Sequence, residues 1–331
     1  MTDECVLVTG GAGYIGSHVG LALLETGRRI IVVDNLVTGR RELVPDAATF
    51  IEADVSDLAR MTRILRDYGC SAVMHFAGST VVPESVADPL KYYRNNTSAS
   101  RSLLEAVTDA GIKQFIFSST AAVYGNPDRL PIDEGAPLDP VSPYGKSKLM
   151  TENMLQDVSV ATELRFIALR YFNVAGADPA GRSGQSTPNA THLIKAACET
   201  ACWTRDRITG FGDDYDTPDG TGVRDFIHVT DLARAHVAAL EHLTAGGDSN
   251  IMNCGYGSGY SVKQVLDVLR QVCGKDFPVE VGPRRPGDIG EIYAESKRIR
   301  ETLNWTPQHD DLQEIIASAY AWECRATEAA A

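Results

Sequence analysis

Three residues of this chain could move a proton together. Tyr144 and Lys148 stand in the stretch Ser142-Pro143-Tyr144-Gly145-Lys146-Ser147-Lys148. On a helix, positions i and i+4 share one face, so the phenol and the ammonium project side by side. A cation a few ångströms away favours the phenolate and draws the tyrosine pKa down from about 10. Tyr144 is therefore expected to act as a general base towards a hydroxyl proton. Thr120 adds a hydroxyl that both donates and accepts. A Tyr-x-x-x-Lys spacing occurs on many ordinary helix faces, so its weight rests on what surrounds it.

The elements that must position these groups read as alternating strands and helices. Cys5-Val6-Leu7-Val8-Thr9 is an apolar run suited to a strand buried on both faces, and it enters Gly10-Gly11-Ala12-Gly13-Tyr14-Ile15-Gly16. A helical pattern runs to Gly27, and Arg29-Ile30-Ile31-Val32-Val33-Asp34 forms the next strand. The glycines let the backbone turn tightly and approach a pyrophosphate at a helix N-terminus. Asp34 ends the second strand, where a carboxylate accepts from ribose hydroxyls and repels a 2′-phosphate; NAD is expected over NADP.

Further strands are expected at 48–52, 71–76, 113–118 and 164–170, with helices at 57–68, 90–110 and 144–158. The fold class is thus α/β, a Rossmann-type doubly wound parallel sheet. Ligands bind at the carboxyl ends of such strands, where Gly10, Asp34, Asp54, Ala77, Ser119-Thr120 and Tyr171-Phe172-Asn173 fall. After Gly176 the chain turns rich in Gly, Pro, Asp and Ser, marking a smaller, mixed α/β C-terminal substrate domain. We expect a nucleotide-binding domain at 1–176, with a return segment near 224–253, and a substrate domain at 177–331. Arg284 and Arg285 offer guanidiniums suited to phosphate.

The net charge of −13 over 331 residues argues against a general nucleic-acid or anionic-membrane binder. Seven scattered cysteines read as reduced thiols, with no metal-binding spacing. There is no leader-like start and no apolar run of membrane length, so a soluble, cytoplasmic protein is expected.

With these residues assembled, the chain resembles the extended short-chain dehydrogenase/reductase superfamily, and within it the UDP-glucose (UDP-galactose) 4-epimerase family. The resemblance runs over about residues 5–323. It is carried by Val8 to His18, Asp34-Asn35-Leu36, His75-Phe76-Ala77-Gly78, Pro83 to Val86, Tyr92 to Asn96, Ser142 to Lys148 and Leu169 to Asn173. The most specific blocks are Asp219 to Val229 and Leu303-Asn304-Trp305. It implies reversible 4-epimerisation of UDP-glucose and UDP-galactose through a 4-keto sugar, with tightly held NAD, in a homodimer built on helices starting near Leu90 and Tyr144. It implies that Tyr144 is the base, that Lys148 lowers its pKa and holds the nicotinamide ribose, and that Thr120 bonds the sugar 4-oxygen. By the same resemblance Gly10, Gly13, Tyr14, Ile15, Gly16, Asp34, Asn35, Asp54, Val55, Phe76, Ala77, Gly78, Asn95, Ser118, Tyr144, Lys148 and Tyr171 serve NAD. Asn173, His192, Arg224, Arg285 and Asp288 are expected to meet the nucleotide-sugar.

The chain departs from the family in places. Thr80 stands where many members carry a Lys that reaches the cofactor, and His192 falls where an Asn is common. By the resemblance, Ile292 falls at the position that helps set room around the sugar 2-substituent, and its branched side chain is stiff. UDP-glucose and UDP-galactose are expected to be preferred to N-acetyl sugars, with pentose forms as a further option. A nucleotide-sugar 4,6-dehydratase would carry an acid pair after the Thr, where this chain has Ala121-Ala122. A catalytically dead regulator would not need Thr120, Tyr144 and Lys148 intact.

Overall fold

The computed structural model describes residues 4–187, 190–285 and 288–330. Asn189, in the block that holds His192, and Pro286 and Gly287 of the arginine loop lie outside the described residues. The first half runs β1 (Cys5–Thr9), α1 (Tyr14–Glu25), β2 (Arg29–Asp34), β3 (Thr49–Glu52), α2 (Leu58–Asp67) and β4 (Cys70–His75). It continues with α3 (Val82–Ala87), α4 (Pro89–Tyr92), a π-helical turn (Tyr93–Ser98), α5 (Ala99–Asp109), β5 (Gln114–Ser118), α6 (Pro143–Ala161) and β6 (Arg165–Tyr171). The second half holds β7 (Asn173–Ala175), α7 (Leu193–Ala201), β8 (Ile208–Phe211), β9 (Val223–Arg224), β10 (Phe226–His228), α8 (Val229–Thr244) and β11 (Asn250–Cys254). It ends with β12 (Tyr260–Ser261), α9 (Val262–Cys273), β13 (Val279–Gly282), β14 (Glu291–Ile292), α10 (Lys297–Leu303) and α11 (Leu312–Ala330).

Seven parallel strands form the main sheet in the order β11-β6-β5-β4-β1-β2-β3. Strand side chains alternate between faces. Val6, Val8, Ile30 and Val32 pack with Val19 and Leu23 of α1 and Leu240 of α8. Leu7, Ile31 and Val33 pack on the other face with Leu65 of α2, Leu103 of α5 and Leu155 of α6. Both faces are covered, which is why the strands read as unbroken apolar runs. The chain reverses direction across the sheet between β1 and β4, the place where such folds open a crevice.

The smaller part is built on a third core, in which Ile194, Cys198, Phe226, Leu266, Leu269 and Ile315 bring α7, α9 and α11 together. Its strands pair in small groups, β12-β9-β14, β10-β7 and β13-β8. Two expectations shift in detail. The single helix expected at 90–110 is α4, a π-helical turn and α5. The helix of Tyr144 extends over Pro143–Ala161, capped by Ser142, whose hydroxyl accepts from the Gly145 amide, with Pro143 in its first turn. Among the described residues, no helix is long and apolar enough to cross a membrane.

Candidate active site

Tyr144 and Lys148 lie in the first turns of α6, 7% and 4% exposed, against the carboxyl ends of β4, β5 and β6. Thr120 follows β5 and caps a short 3₁₀ turn, its hydroxyl accepting from the Ala122 amide at 3.1 Å. The same hydroxyl lies close enough to the Tyr144 phenol to pull its pKa down. The structure thus brings the three groups together at one edge of the sheet.

The electrostatics reverse one expectation. Burial pushes the Tyr144 phenol above its ordinary value, and the Thr120 hydroxyl only partly offsets this. Burial also lowers Lys148 to about 8, while Glu152 one helical turn on opposes that fall. Lys148 Nζ donates to the Ser118 carbonyl at 3.0 Å and lies 4.9 Å from the centre of the Phe117 ring. In a site poor in water, the neutral phenol and the neutral amine are both favoured, so proximity alone does not make a phenolate. His75 beneath them is held neutral, its pKa lowered to about 3 by burial and by Lys148. Its ring nitrogens bond Thr9 Oγ1 at 2.7 Å and Ser100 Oγ at 2.8 Å.

The glycine turn after β1 has the shape of a phosphate cradle. Gly10 adopts φ +69°, and a Cβ there would lie 2.5 Å from the Ala77 amide nitrogen. A Cβ on Gly16 would lie 2.3 Å from the Gly10 carbonyl oxygen, so α1 starts as close to the turn as backbone permits. Helix α1 has no side-chain cap at Gly13 and no acid in its first turn, which leaves its amides for an anion. Asp34 at the end of β2 accepts from the Ala12 amide at 3.0 Å and the Leu36 amide at 2.8 Å. Burial raises the Asp34 pKa, and those two amides oppose the rise. Asn35 donates to Asp54 at 2.9 Å, and Asp54 is further held by Ser56. These donors and acceptors fit a dinucleotide.

The π-helical turn aims two amides at the loop after β4. Asn96 takes the Ser79 amide at 2.8 Å and donates to the Ser79 carbonyl at 3.0 Å and to Ser147 Oγ at 2.9 Å. Asn95 donates to Ser79 Oγ at 3.1 Å. Gly78 fits between Asn96 and Lys148: a Cβ there would lie 2.9 Å from Asn96 Oδ1 and 3.9 Å from Lys148 Nζ. Ser118 and Tyr171 bond through their hydroxyls at 2.5 Å. Ile15, Val55, Phe76 and Ala77 turn their side chains into the apolar clusters. Tyr14 donates its hydroxyl to the Gly176 carbonyl at 2.6 Å. Thr80 is exposed beside them.

The substrate-side residues are less uniform. Arg224 Nη1 donates to the Val223 carbonyl at 2.8 Å and the Gly290 carbonyl at 3.2 Å, and its Nη2 to the Ile289 carbonyl at 2.5 Å. Arg285 and Asp288 pair with each other at 2.8 Å. Asn173 begins β7, whose partner is β10. His192 is exposed, and its Nδ1 bonds the Gln185 amide at 2.8 Å. Ile292 is buried with Ala121, Val123, Tyr124 and Ile132, beside the turn that Thr120 caps. Phe211 and Tyr215 escaped the sequence reading. The Arg285 guanidinium lies 4.5 Å from the centre of the Phe211 ring, and that of Arg284 lies 4.2 Å from that of Tyr215. Two aromatics at the end of β8 and in the Gly- and Asp-rich stretch after it, in a chain that also carries Arg284-Arg285, were the available signal.

A model of the NAD dependent epimerase/dehydratase family matches residues 6–255. A UDP-glucose 4-epimerase of Azospirillum brasilense is 56% identical, over 98% of this chain and 94% of that protein. The crystal structure of a Brucella ovis UDP-glucose 4-epimerase in complex with NAD superposes with a TM-score of 0.94 at 44% identity, covering 97% of this chain and 98% of that one. The UDP-Glc/GlcNAc 4-epimerase of Campylobacter jejuni superposes with a TM-score of 0.85 at 46% identity, covering 97% and 99%. With the glycine turn, the acid after β2 and the Thr120-Tyr144-Lys148 cluster in place, the chain belongs to the NAD dependent epimerase/dehydratase family.

Proposed function

We propose that this chain interconverts UDP-glucose and UDP-galactose at C4 through a 4-keto sugar, using NAD it keeps bound. The observation that carries this is the meeting of Tyr144, Thr120 and Lys148 at the sheet edge, beside a glycine turn fit for a dinucleotide. Identity of 56% to a UDP-glucose 4-epimerase supports the reading. The Gly10-Gly13-Gly16 turn with Tyr14 and Ile15 would hold the pyrophosphate, and Asp34 the adenosine ribose. Asn35, Asp54, Val55, Phe76, Ala77, Gly78, Asn95, Ser118 and Tyr171 would line the rest. When bound, NAD supplies a hydride acceptor and, in its pyridinium ring, a positive charge.

Within that frame Tyr144 takes and returns the proton of the sugar 4-hydroxyl. Thr120 orients that oxygen, and Lys148 supplies a cation to the ribose and the phenolate. The 4-keto sugar must turn over before it is reduced, so the hexose cannot be gripped firmly. Affinity then resides in the nucleotide. Arg224, Arg285, Asp288, Asn173 and His192 would meet it, with Phe211 as an apolar platform for the base.

We divide the labour between residues 1–176 with 224–253 for the cofactor and the rest for the nucleotide-sugar. Val86, Leu90 and Met150 are large exposed apolar residues on α3, α4 and α6, and they support a homodimer across those helices. Sedimentation of Leu90→Glu as a monomer, against a wild-type dimer, is the expected check. The free thiols among the described residues support a cytoplasmic setting, and the reaction is one of galactose metabolism. A UDP-sugar carrying a 2-acetamido group is the second reading, favoured by the likeness to the Campylobacter UDP-Glc/GlcNAc enzyme.

Incubating the purified protein with UDP-galactose, with and without added NAD, and separating the products tests the main reading. UDP-glucose should form in both, without accumulating NADH. Steady release of NADH would make the protein a net oxidoreductase, and a 4-keto-6-deoxy product would make it a dehydratase.

A further inference from the structure

A buried ion pair lies directly behind the site. Glu152 stands one helical turn beyond Lys148 on α6 and is 1% exposed. Arg170, next to Tyr171 on β6, is 3% exposed and grips Glu152 through two bonds, Nε to Oε1 at 2.9 Å and Nη2 to Oε2 at 2.6 Å. Ser119, next to Thr120, donates its hydroxyl to the same Oε1 at 2.5 Å. Arg170 Nη1 donates to the Tyr124 hydroxyl at 3.0 Å, which donates to Asn253 of β11 at 2.7 Å. Removing two charges from water costs more than packing two apolar side chains of the same size, so core stability alone is a poor reason for this pair.

We propose that Glu152, oriented by Arg170, is a positioning residue of the epimerase reaction, keeping Lys148 protonated and holding the Thr120 turn against α6. The carboxylate touches neither substrate nor cofactor; it acts through its neighbours. On this carboxylate of α6 converge two segments that must stay in register with it to about half an ångström: the turn after β5 through Ser119, and β6 through Arg170. Electrostatically, it is the carboxylate that opposes the fall of Lys148 towards the neutral amine. The other titratable groups facing this corner are neutral His75 on β4, which feels Lys148, and Tyr171 on β6 and Tyr92 on α4, which lie against Tyr144. Beyond Tyr92 lies the Glu84–Lys91 pair.

The role in the reaction rests on the epimerase reading, so the test has an arm that does not. Carbon-13 titration of ε-labelled lysines reads Lys148 in the protein without substrate, its signal identified by loss in Lys148→Met. Glu152→Gln leaves Arg170 as the unbalanced charge, and the Lys148 pKa should fall by about one unit. Arg170→Gln leaves the carboxylate unbalanced and should raise it by a similar amount. The double variant should return close to wild type, and the alkaline limb of kcat should move with each shift. Shifts of the same sign, or none, in folded variants overturn the proposal, as does a kcat profile that stays put while Lys148 moves. If neither single variant folds, Glu152→Asp decides, since it keeps both charges and withdraws the carboxylate by one methylene. A lowered Lys148 pKa is expected there, and an unchanged one overturns the proposal. Correct shifts in a protein without epimerase activity would sink the activity reading; absent shifts in an active enzyme would sink the role of Glu152.

Discussion

Tyr144 and Ile292 are both buried beside the Thr120 turn, yet a change at each should read out differently. Tyr144→Phe removes one oxygen and no packing volume, so the fold and the bound dinucleotide should survive while kcat drops by about 10²–10⁴. A variant keeping more than about a tenth of the activity would show that another group takes the proton. Ile292 packs on Ala121, Val123 and Tyr124, so trimming it opens space next to the turn that presents Thr120. In Ile292→Ala, kcat/KM for UDP-N-acetylgalactosamine relative to UDP-galactose should rise about ten-fold or more. A ratio equal to that of the wild type would assign Ile292 to packing alone. The spacing of Tyr144 and Lys148 was legible because a helix fixes it locally. Their protonation was not, because it depends on burial created by β4, β5 and β6, and burial reversed the expected shift.

Helix α1 carries two glycines, at 16 and 20, with opposite duties. A Cβ on Gly16 would meet the Gly10 carbonyl, a backbone atom that cannot swing aside. Gly16→Ala should cost about 1–3 kcal/mol of stability and release the dinucleotide on gel filtration. A Cβ on Gly20 would find Ile30 Cδ1 at 3.4 Å and Pro45 Cγ at 3.5 Å, ordinary contacts in a helix interior. Gly20→Ala should be neutral or raise stability by up to about 1 kcal/mol. Equal losses in the two variants, by denaturant melts, would show that close approach at Gly16 is not the cause. Strands such as β1 and β2 were readable because a sheet covered on both faces demands unbroken apolar runs. The π-helical turn was not, since one extra residue in a helix leaves no mark on composition. The chain from Glu152 to Asn253 was hidden for another reason: its members lie up to 129 residues apart, as Tyr124 and Asn253 do.

Across the whole molecule, four buried histidines are held neutral. Burial lowers His18 and His236 to about 4, and His75 and His228 to about 3. Each folded value lies below that of the unfolded chain, so unfolding takes up protons. Their contribution to stability is full above about pH 6.5 and is lost as pH falls, at up to about 1.4 kcal/mol per unit each. Buried Asp34 and Asp225, whose pKa values are raised, work in the opposite sense as acid is added. Four against two sets the expected sign: the melting temperature should fall steadily from pH 7 to pH 5. A flat calorimetric profile over that range would mean that these rings are protonated in the fold. The main sheet has a consequence of another kind. Its edge strand β11 and the helix α8 that lies on α1 come from residues 229–254, after the chain has already visited the substrate side. During synthesis, β6 therefore emerges as a bare edge and α1 stays uncovered while some eighty more residues are made. Such an edge is open to pairing with other chains. A nascent chain halted near residue 176 should stick to chaperones, and one that has released residue 254 should let go.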